Sequence, residues 1–140
     1  MAYYLFKVAV SDEPGVLARV TRHLANWHVD LKGFIVDQAG MQLLTAEVDA
    51  ARRAFDEAGL LVVVVPVHEV IIEDRPGALS LMCQRLADAG INILTAFGAA
   101  SATGGRIFIE TNDAVRAAPI LLQFSSGRPM LRSANEWLRA

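Results

Sequence analysis

Cysteine is nearly missing from this sequence: Cys83 stands alone among 140 residues. A single thiol can build neither an intrachain disulfide nor a cysteine-ligated metal cluster. The three histidines, His23, His28 and His68, have no spacing that matches a zinc motif, so no metal and no cofactor are expected. An excess of charge of one sign is missing too. The 13 Lys and Arg are set against 15 Asp and Glu, for a net charge of -2 and a pI near 5.9. That balance argues against a nucleic-acid binder or a polybasic membrane anchor, both of which rely on a concentrated positive field. Long hydrophobic runs are also lacking. The longest, Leu60 to Val67, has eight residues including Pro66, against the roughly 20 that a membrane-spanning helix needs. The opening MAYYLFKVAV has no basic segment followed by a long apolar stretch, so no signal peptide is expected. A reducing, cytoplasmic setting fits these absences.

Apolar residues, by contrast, are abundant, at 54% of the chain. A chain this short has little interior in which to hide them, which points to a homodimer or a higher homo-oligomer. The order of residues shows a second feature, an internal repeat. At a shift of 62, SDEPGVLARVTRHLANWHVDL (from Ser11) aligns with EDRPGALSLMCQRLADAGINI (from Glu73), matching Asp12 with Asp74, Pro14 with Pro76, Gly15 with Gly77 and Leu24 with Leu86. At a shift of 64 the match resumes, with Gly40 on Gly104 and Asp49 on Asp113, which predicts two extra residues in a loop near 100–105. The repeat divides the chain into domains 1–65 and 66–140, the second ending in a short helix (SANEWLRA) that carries Trp137.

Each copy shows the same succession of periods. Residues 3–10 and 67–73 are β-branched and aromatic runs that stop at an Asp and a Pro-Gly, as a strand entering a loop does. Leu17, Val20, Thr21 and Leu24, and again Leu79, Met82, Cys83 and Leu86, recur at helical spacing. Gly90 suits a left-handed helix end, a conformation that His28 must adopt in the first copy. Strands are predicted over 29–37 and 41–48, and over 91–97 and 106–111. Second helices are expected behind Asp49 and Asp113 as caps. Pro119 should break or kink the later one. The first copy closes with the strand LLVVVV and the second more weakly with PMLRS near residue 130.

Strand, helix, strand, strand, helix, strand is a split βαβ order. The fold class expected is therefore α+β: two ferredoxin-like βαββαβ units in tandem, with antiparallel sheets and helices on one face. Leu5, Ala9, Val67, Ile71 and alternate valines of 61–65 would then point to a bare apolar face, the mark of an interface.

The motifs resemble those of the ACT domain, a small regulatory module that binds amino acids. The likeness rests on Asp-x-Pro-Gly-x-Leu after a strand, with an apolar-periodic helix running into a new strand: DEPGVL with WHVDL, and DRPGAL with AGINI. It covers residues 3 to about 132 and implies a stand-alone tandem ACT-like protein that binds a free amino acid at domain interfaces. In such domains the effector commonly lies between the loop of one unit and a strand of an adjacent one. Asp74, Arg75, Pro76, Gly77, Ala78, Leu79 and Asn92 are the favoured ligand set. Asp12, Pro14, Gly15, Val16, Leu17 and Asp30 are the counterparts in the first copy, which departs from the pattern at Trp27-His28 and at Asp30.

Physical chemistry gives such a loop a purpose. Amide groups in the first turn of a helix, at the positive end of its dipole, suit a carboxylate. Asp12 and Asp74 suit an ammonium group, although as plain helix caps they would need no ligand. Asn92 can donate and accept at once, toward a ligand or toward local backbone. Cys83 falls in an apolar stripe and reads as a core thiol. No nucleophile with a neighbouring base, no paired carboxylates and no phosphate-binding glycine loop is present, so catalysis is not expected. Two functions remain: a non-catalytic amino-acid sensor, or a protein–protein interaction module, such as the regulatory subunit of a metabolic enzyme, with no small-molecule ligand.

Overall fold

A computed structural model of the chain describes residues 2–11, 13–101 and 104–125. The chain divides into two compact units, Met1–Pro66 and Val67–Ala140. The elements in order are β1 (Tyr3–Val8), α1 (Val16–Asn26), β2 (Gly33–Asp37), β3 (Gly40–Thr45), α2 (Val48–Glu57), β4 (Val62–Ile72), α3 (Ala78–Asp88), β5 (Ile93–Ser101), β6 (Gly104–Thr111) and α4 (Ala114–Ser125). The class is α+β, with antiparallel strand pairs. In the first unit the strand order is β2-β3-β1-β4, and in the second it is β4-β6-β5. The closing strand and terminal helix expected after residue 126, Trp137 included, lie outside the described residues.

Each unit has its own core. In the first, Phe6 and Val8 of β1 and Met41 and Leu43 of β3 meet Val20 and Leu24 of α1 and Ala51, Ala54 and Phe55 of α2. Phe6 and Phe55 stack with ring centroids 5.5 Å apart. In the second, Val70, Ile72 and Ile109 meet Met82 and Leu86 of α3 and Ala117, Leu121 and Phe124 of α4. Both helices of a unit thus cover one face of its strands, because their apolar residues recur every three or four positions while those of the strands alternate. Cys83 packs against the second core, as a hydrophobic thiol does.

The opposite face is less bare than its pattern suggests. Ile71, Leu61 and Val63 are exposed, but Leu5 and Val67 are buried, and Leu5 pairs with a fully buried Leu44. Apolar contact therefore reaches both faces of β1 and β3 at this pair, as expected where adjacent residues of a strand are both apolar.

Other expectations change in detail. The extra length of the second copy is in its strands and not in a loop. β5 and β6 have 9 and 8 residues against 5 and 6 for β2 and β3, while Asp37 pairs with Gly40 and Ser101 with Gly104 at the hairpin ends. Residues added to both strands lengthen the ladder without slipping its register. A register shift between Ile93 and Thr95 takes up part of the length. β4 keeps pace, pairing as far as Ile72 with Gly105, whereas the pairing of β1 ends at Val8 with Met41.

Asp113 caps α4, its Oδ1 accepting the Arg116 N–H at 3.1 Å. Asp49 is not a cap: α2 starts one residue earlier, behind Glu47, whose own N–H donates to Thr45 Oγ1 at 3.1 Å. Pro119 does not break α4, which runs through it. A proline there removes one helical hydrogen bond, to the Val115 carbonyl, and Val115 is 84% exposed, so water can take that place. Buried Ala117, Leu121 and Phe124 hold the helix against the core on both sides of the proline.

The two α1-type helices end alike. His28 N–H donates to Ala25 and Val29 N–H to Leu24, while Gly90 N–H donates to Ala87 and Ile91 N–H to Leu86. His28 takes the left-handed conformation, φ 55°, that Gly90 takes at φ 71°. No helix among the described residues is long and apolar enough to cross a membrane.

Candidate functional site

The two Pro-Gly loops are built alike. Pro14 and Pro76 precede glycines in the left-handed conformation, Gly15 at φ 88° and Gly77 at φ 90°, and each glycine is the N-cap of the helix that follows. Glycine adopts this conformation without the clash that a Cβ brings. A Cβ at either position would meet nothing within 4 Å, so backbone conformation, and not crowding, selects glycine here. Among the described residues no side chain caps either helix. Val16 and Ala78 donate their N–H groups back to the carbonyls of Glu13 and Arg75, both at 3.3 Å. The next amides, Leu17 and Ala18 in one loop and Leu79 and Ser80 in the other, have no acceptor among the described residues. They carry the positive end of the helix dipole toward the loop.

Beside the second loop lies a cleft of about 370 Å³. Ile72, Leu79, Phe97 and Ile107 give it apolar walls, Ala96, Gly98 and Gly105 leave it room, and Glu73, Asp74 and Arg75 supply charge. Arg75 Nε lies 2.6 Å from Glu73 Oε2, which ties the guanidinium to the loop. Phe97 is held by stacking on Phe108, with centroids 5.4 Å apart. Gly98 pairs with Ile107 across the hairpin, and a Cβ on it would fall 2.4 Å from the Arg106 carbonyl oxygen. The lengthened β5–β6 hairpin and the end of β4 thus form one side of the cleft and the Pro-Gly loop the other. The helix-cap reading of Asp74 is not met: its carboxylate stands exposed at the cleft. Pro76, Gly77 and Ala78 shape the turn without lining the cleft.

The first loop has a counterpart of about 240 Å³, lined by Ser11, Glu13, Gly15, Val16, Leu17 and Ala18 of the loop and helix and by Val36, Asp37, Gly40 and Met41 of the hairpin, with Val10. Asp12 lies outside the described residues. Counted from the loops, Val36 corresponds to Gly98 and Glu13 to Arg75. The first cleft is therefore narrower and carries the opposite charge where the second has its cation.

Asn92 and Asp30 do not join these clefts. They follow the C-terminal ends of α3 and α1, and an 11-residue helix puts about 16 Å between its two ends. The Asn92 backbone N–H donates to Asn112 Oδ1 at 2.9 Å, and the Asn112 N–H returns a bond to the Asn92 carbonyl at 3.0 Å. The Asn92 side chain is exposed. Asp30 binds Lys32 Nζ through Oδ2 at 2.6 Å, while its N–H donates to Glu47 Oε2 at 2.8 Å. Within a unit, then, the structure joins Asp74, Arg75 and Leu79 and leaves Asn92 apart from them.

The motifs and periods of the sequence do not single out Phe97, Gly98, Gly105 or Ile107. The one signal was the replacement of Val36 by Gly98 at the shift of 62. Among the described residues no three His, Cys, Asp or Glu side chains gather as metal ligands do.

No family model matches the sequence, and no curated protein matches it. Solved structures do share the fold. A protein from Bacteroides thetaiotaomicron is similar with a TM-score of 0.77 at 20% identity, over 88% of each chain. The ligand-free regulatory subunit of aspartate kinase from Thermus thermophilus is similar with a TM-score of 0.64 at 20% identity, over 88% of this chain and 90% of that one. E. coli aspartokinase III, solved in complex with lysine and aspartate, is similar with a TM-score of 0.57 at 15% identity, over 89% of this chain and 30% of that one.

Proposed function

We propose that the chain is a non-catalytic regulatory protein, two ACT-like units in tandem, that binds a free amino acid at its Pro-Gly loops and acts in the cytoplasm on a metabolic enzyme. The observation that carries this reading is the cleft of about 370 Å³ at the second loop, where uncapped helix amides, an arginine and a carboxylate stand together over apolar walls. An amino acid needs those parts: donors for its carboxylate, an acceptor for its ammonium group, and a place for its side chain. The fold shared with regulatory subunits supports the regulatory part. That a larger protein, 30% of whose chain shares the fold, was solved with lysine supports the ligand class. Asn92 contacts the ligand in this reading only if a different unit, or a second copy in a homodimer, presents it to the loop.

The exposed Phe34 and Val36 on β2, and Leu61 and Val63 before and within β4, favour a second reading as a protein-docking module without a small ligand. A thermal-shift screen against millimolar concentrations of each of the 20 L-amino acids separates the two. A ligand that binds only the folded state raises its stability by RT ln(1 + [L]/Kd). A selective rise in melting temperature supports the sensor. No rise with any amino acid, on a folded oligomer, favours docking alone.

A further inference from the structure

We infer that the two Pro-Gly clefts are not equivalent: the second is the single amino-acid site of the chain and takes a neutral amino acid with an apolar side chain, while the first excludes carboxylate ligands. This deepens the amino-acid reading above and rests on it.

The inference follows from counting charges at each cleft. In the second, Arg75 and the Leu79 and Ser80 amides suit the ligand's carboxylate, and Asp74 suits its ammonium group. Glu73 already holds Arg75 at 2.6 Å. Among the described lining residues no charged group is left over for a third charge on the ligand, and Ile72, Leu79, Phe97 and Ile107 line what remains. An acidic side chain would lie among the acids Glu73 and Asp74 without a second cation. A basic one would have to strip Glu73 from Arg75. Both incur the cost of desolvating a charge without a dedicated partner.

Among the described residues Glu13 and Asp37 are the charged groups that line the first cleft, and no base joins them. Asp37 is held in place, its Oδ1 accepting the Ala39 N–H at 2.8 Å. Two carboxylates repel a third, offsetting the pull of the helix amides. Size agrees with charge. The second cleft is also the roomier, at about 370 Å³ against about 240 Å³ for the first, which leaves more space for an apolar side chain.

The test is isothermal calorimetry of the full chain with L-leucine, L-aspartate and L-lysine, on the wild type and on Arg75→Glu and Glu13→Arg. The expected result is leucine binding tightest at one molecule per chain. Arg75→Glu should weaken it about ten- to a hundredfold, the size of a lost hydrogen bond to a charged group. Glu13→Arg should leave the leucine affinity of the second cleft unchanged while giving the first cleft a cation, so that a second, weaker molecule binds. Arg75→Met, which removes the cation without adding repulsion, serves as the second variant if Arg75→Glu fails to fold. Two molecules per wild-type chain, a preference for aspartate or lysine, or an affinity indifferent to Arg75 would overturn the inference while leaving the amino-acid reading standing. Binding by none of these three, together with no shift by any of the 20 in the thermal-shift screen, would overturn both.

Discussion

Gly98 and Ile107 face each other across the β5–β6 ladder at a separation that only a residue without a side chain tolerates. A Cβ on Gly98 would sit 2.4 Å from the Arg106 carbonyl oxygen and 3.0 Å from the Cα of Ile107. Both contacts are with backbone, which cannot rotate away. The same glycine keeps the wall of the second cleft open. Gly98→Ala is therefore expected to destabilise the fold by about 1–3 kcal/mol, the usual cost of overpacking. Urea denaturation reads this as a lower midpoint at unchanged slope. An unchanged midpoint would mean that the strands separate at this pair without cost.

His28 offers the opposite change. It holds φ 55° at the end of α1, where Gly90 holds φ 71° at the end of α3. The left-handed region costs a residue with a Cβ about 1–2 kcal/mol, partly offset by the greater freedom of glycine in the unfolded chain, about 0.4–1 kcal/mol. His28→Gly should stabilise by up to about 1 kcal/mol, and Gly90→Ala should destabilise by a similar amount. Chemical denaturation of the two variants checks the pair of signs. Destabilisation by His28→Gly would show that the imidazole makes a contact worth more than the strain.

A carboxylate at the far end of the first unit ties its two helices. Glu57 accepts from Trp27 Nε1 through Oε2 at 2.6 Å and lies 3.2 Å from His23 Nδ1 through Oε1. Arg53 lies over the same indole ring at 5.8 Å. The bond from Trp27, then that from His23, holds the Glu57 carboxyl below the ordinary glutamate range. A carboxyl whose folded value is depressed adds stability that is complete above its unfolded value, and loses it as the pH falls through the folded one. An NMR titration of the Glu57 side chain should therefore show a midpoint below that of a free glutamate. Trp27→Phe should move it upward, and the acid-side fall in stability should be shallower in Glu57→Gln. A Glu57 midpoint unmoved by Trp27→Phe would contradict the clamp.

Much of this was legible in the sequence. Pro14-Gly15 and Pro76-Gly77 announced strand-to-helix turns, and both glycines sit at helix caps with positive φ. The replacement of glycine by His28 at a helix end was readable, as was its conformational consequence, because the Schellman-type ending constrains the backbone whatever the residue. The hairpin length was not readable: a residue added to a loop and a residue added to a ladder look the same in a self-alignment. Nor did the sequence show that β4 passes through Pro66 as one strand, since alternation continues across a proline only when the lost N–H is not needed for pairing. The walls of the cleft were least visible of all. Phe97 and Gly98 come together with Asp74 and Leu79 only once the hairpin is folded, and their spacing along the chain carries no trace of that meeting.

The most direct test of the proposed function is a ¹⁵N NMR titration of the full chain with whichever L-amino acid raises its melting temperature, or with L-leucine if none does. The predicted result is saturable movement of the Leu79, Ser80 and Gly98 amides, at the uncapped start of α3 and the wall of the cleft, with the Leu17 and Ala18 amides unmoved. A spectrum in which the amides of both Pro-Gly loops stay still at saturating amino acid would contradict it.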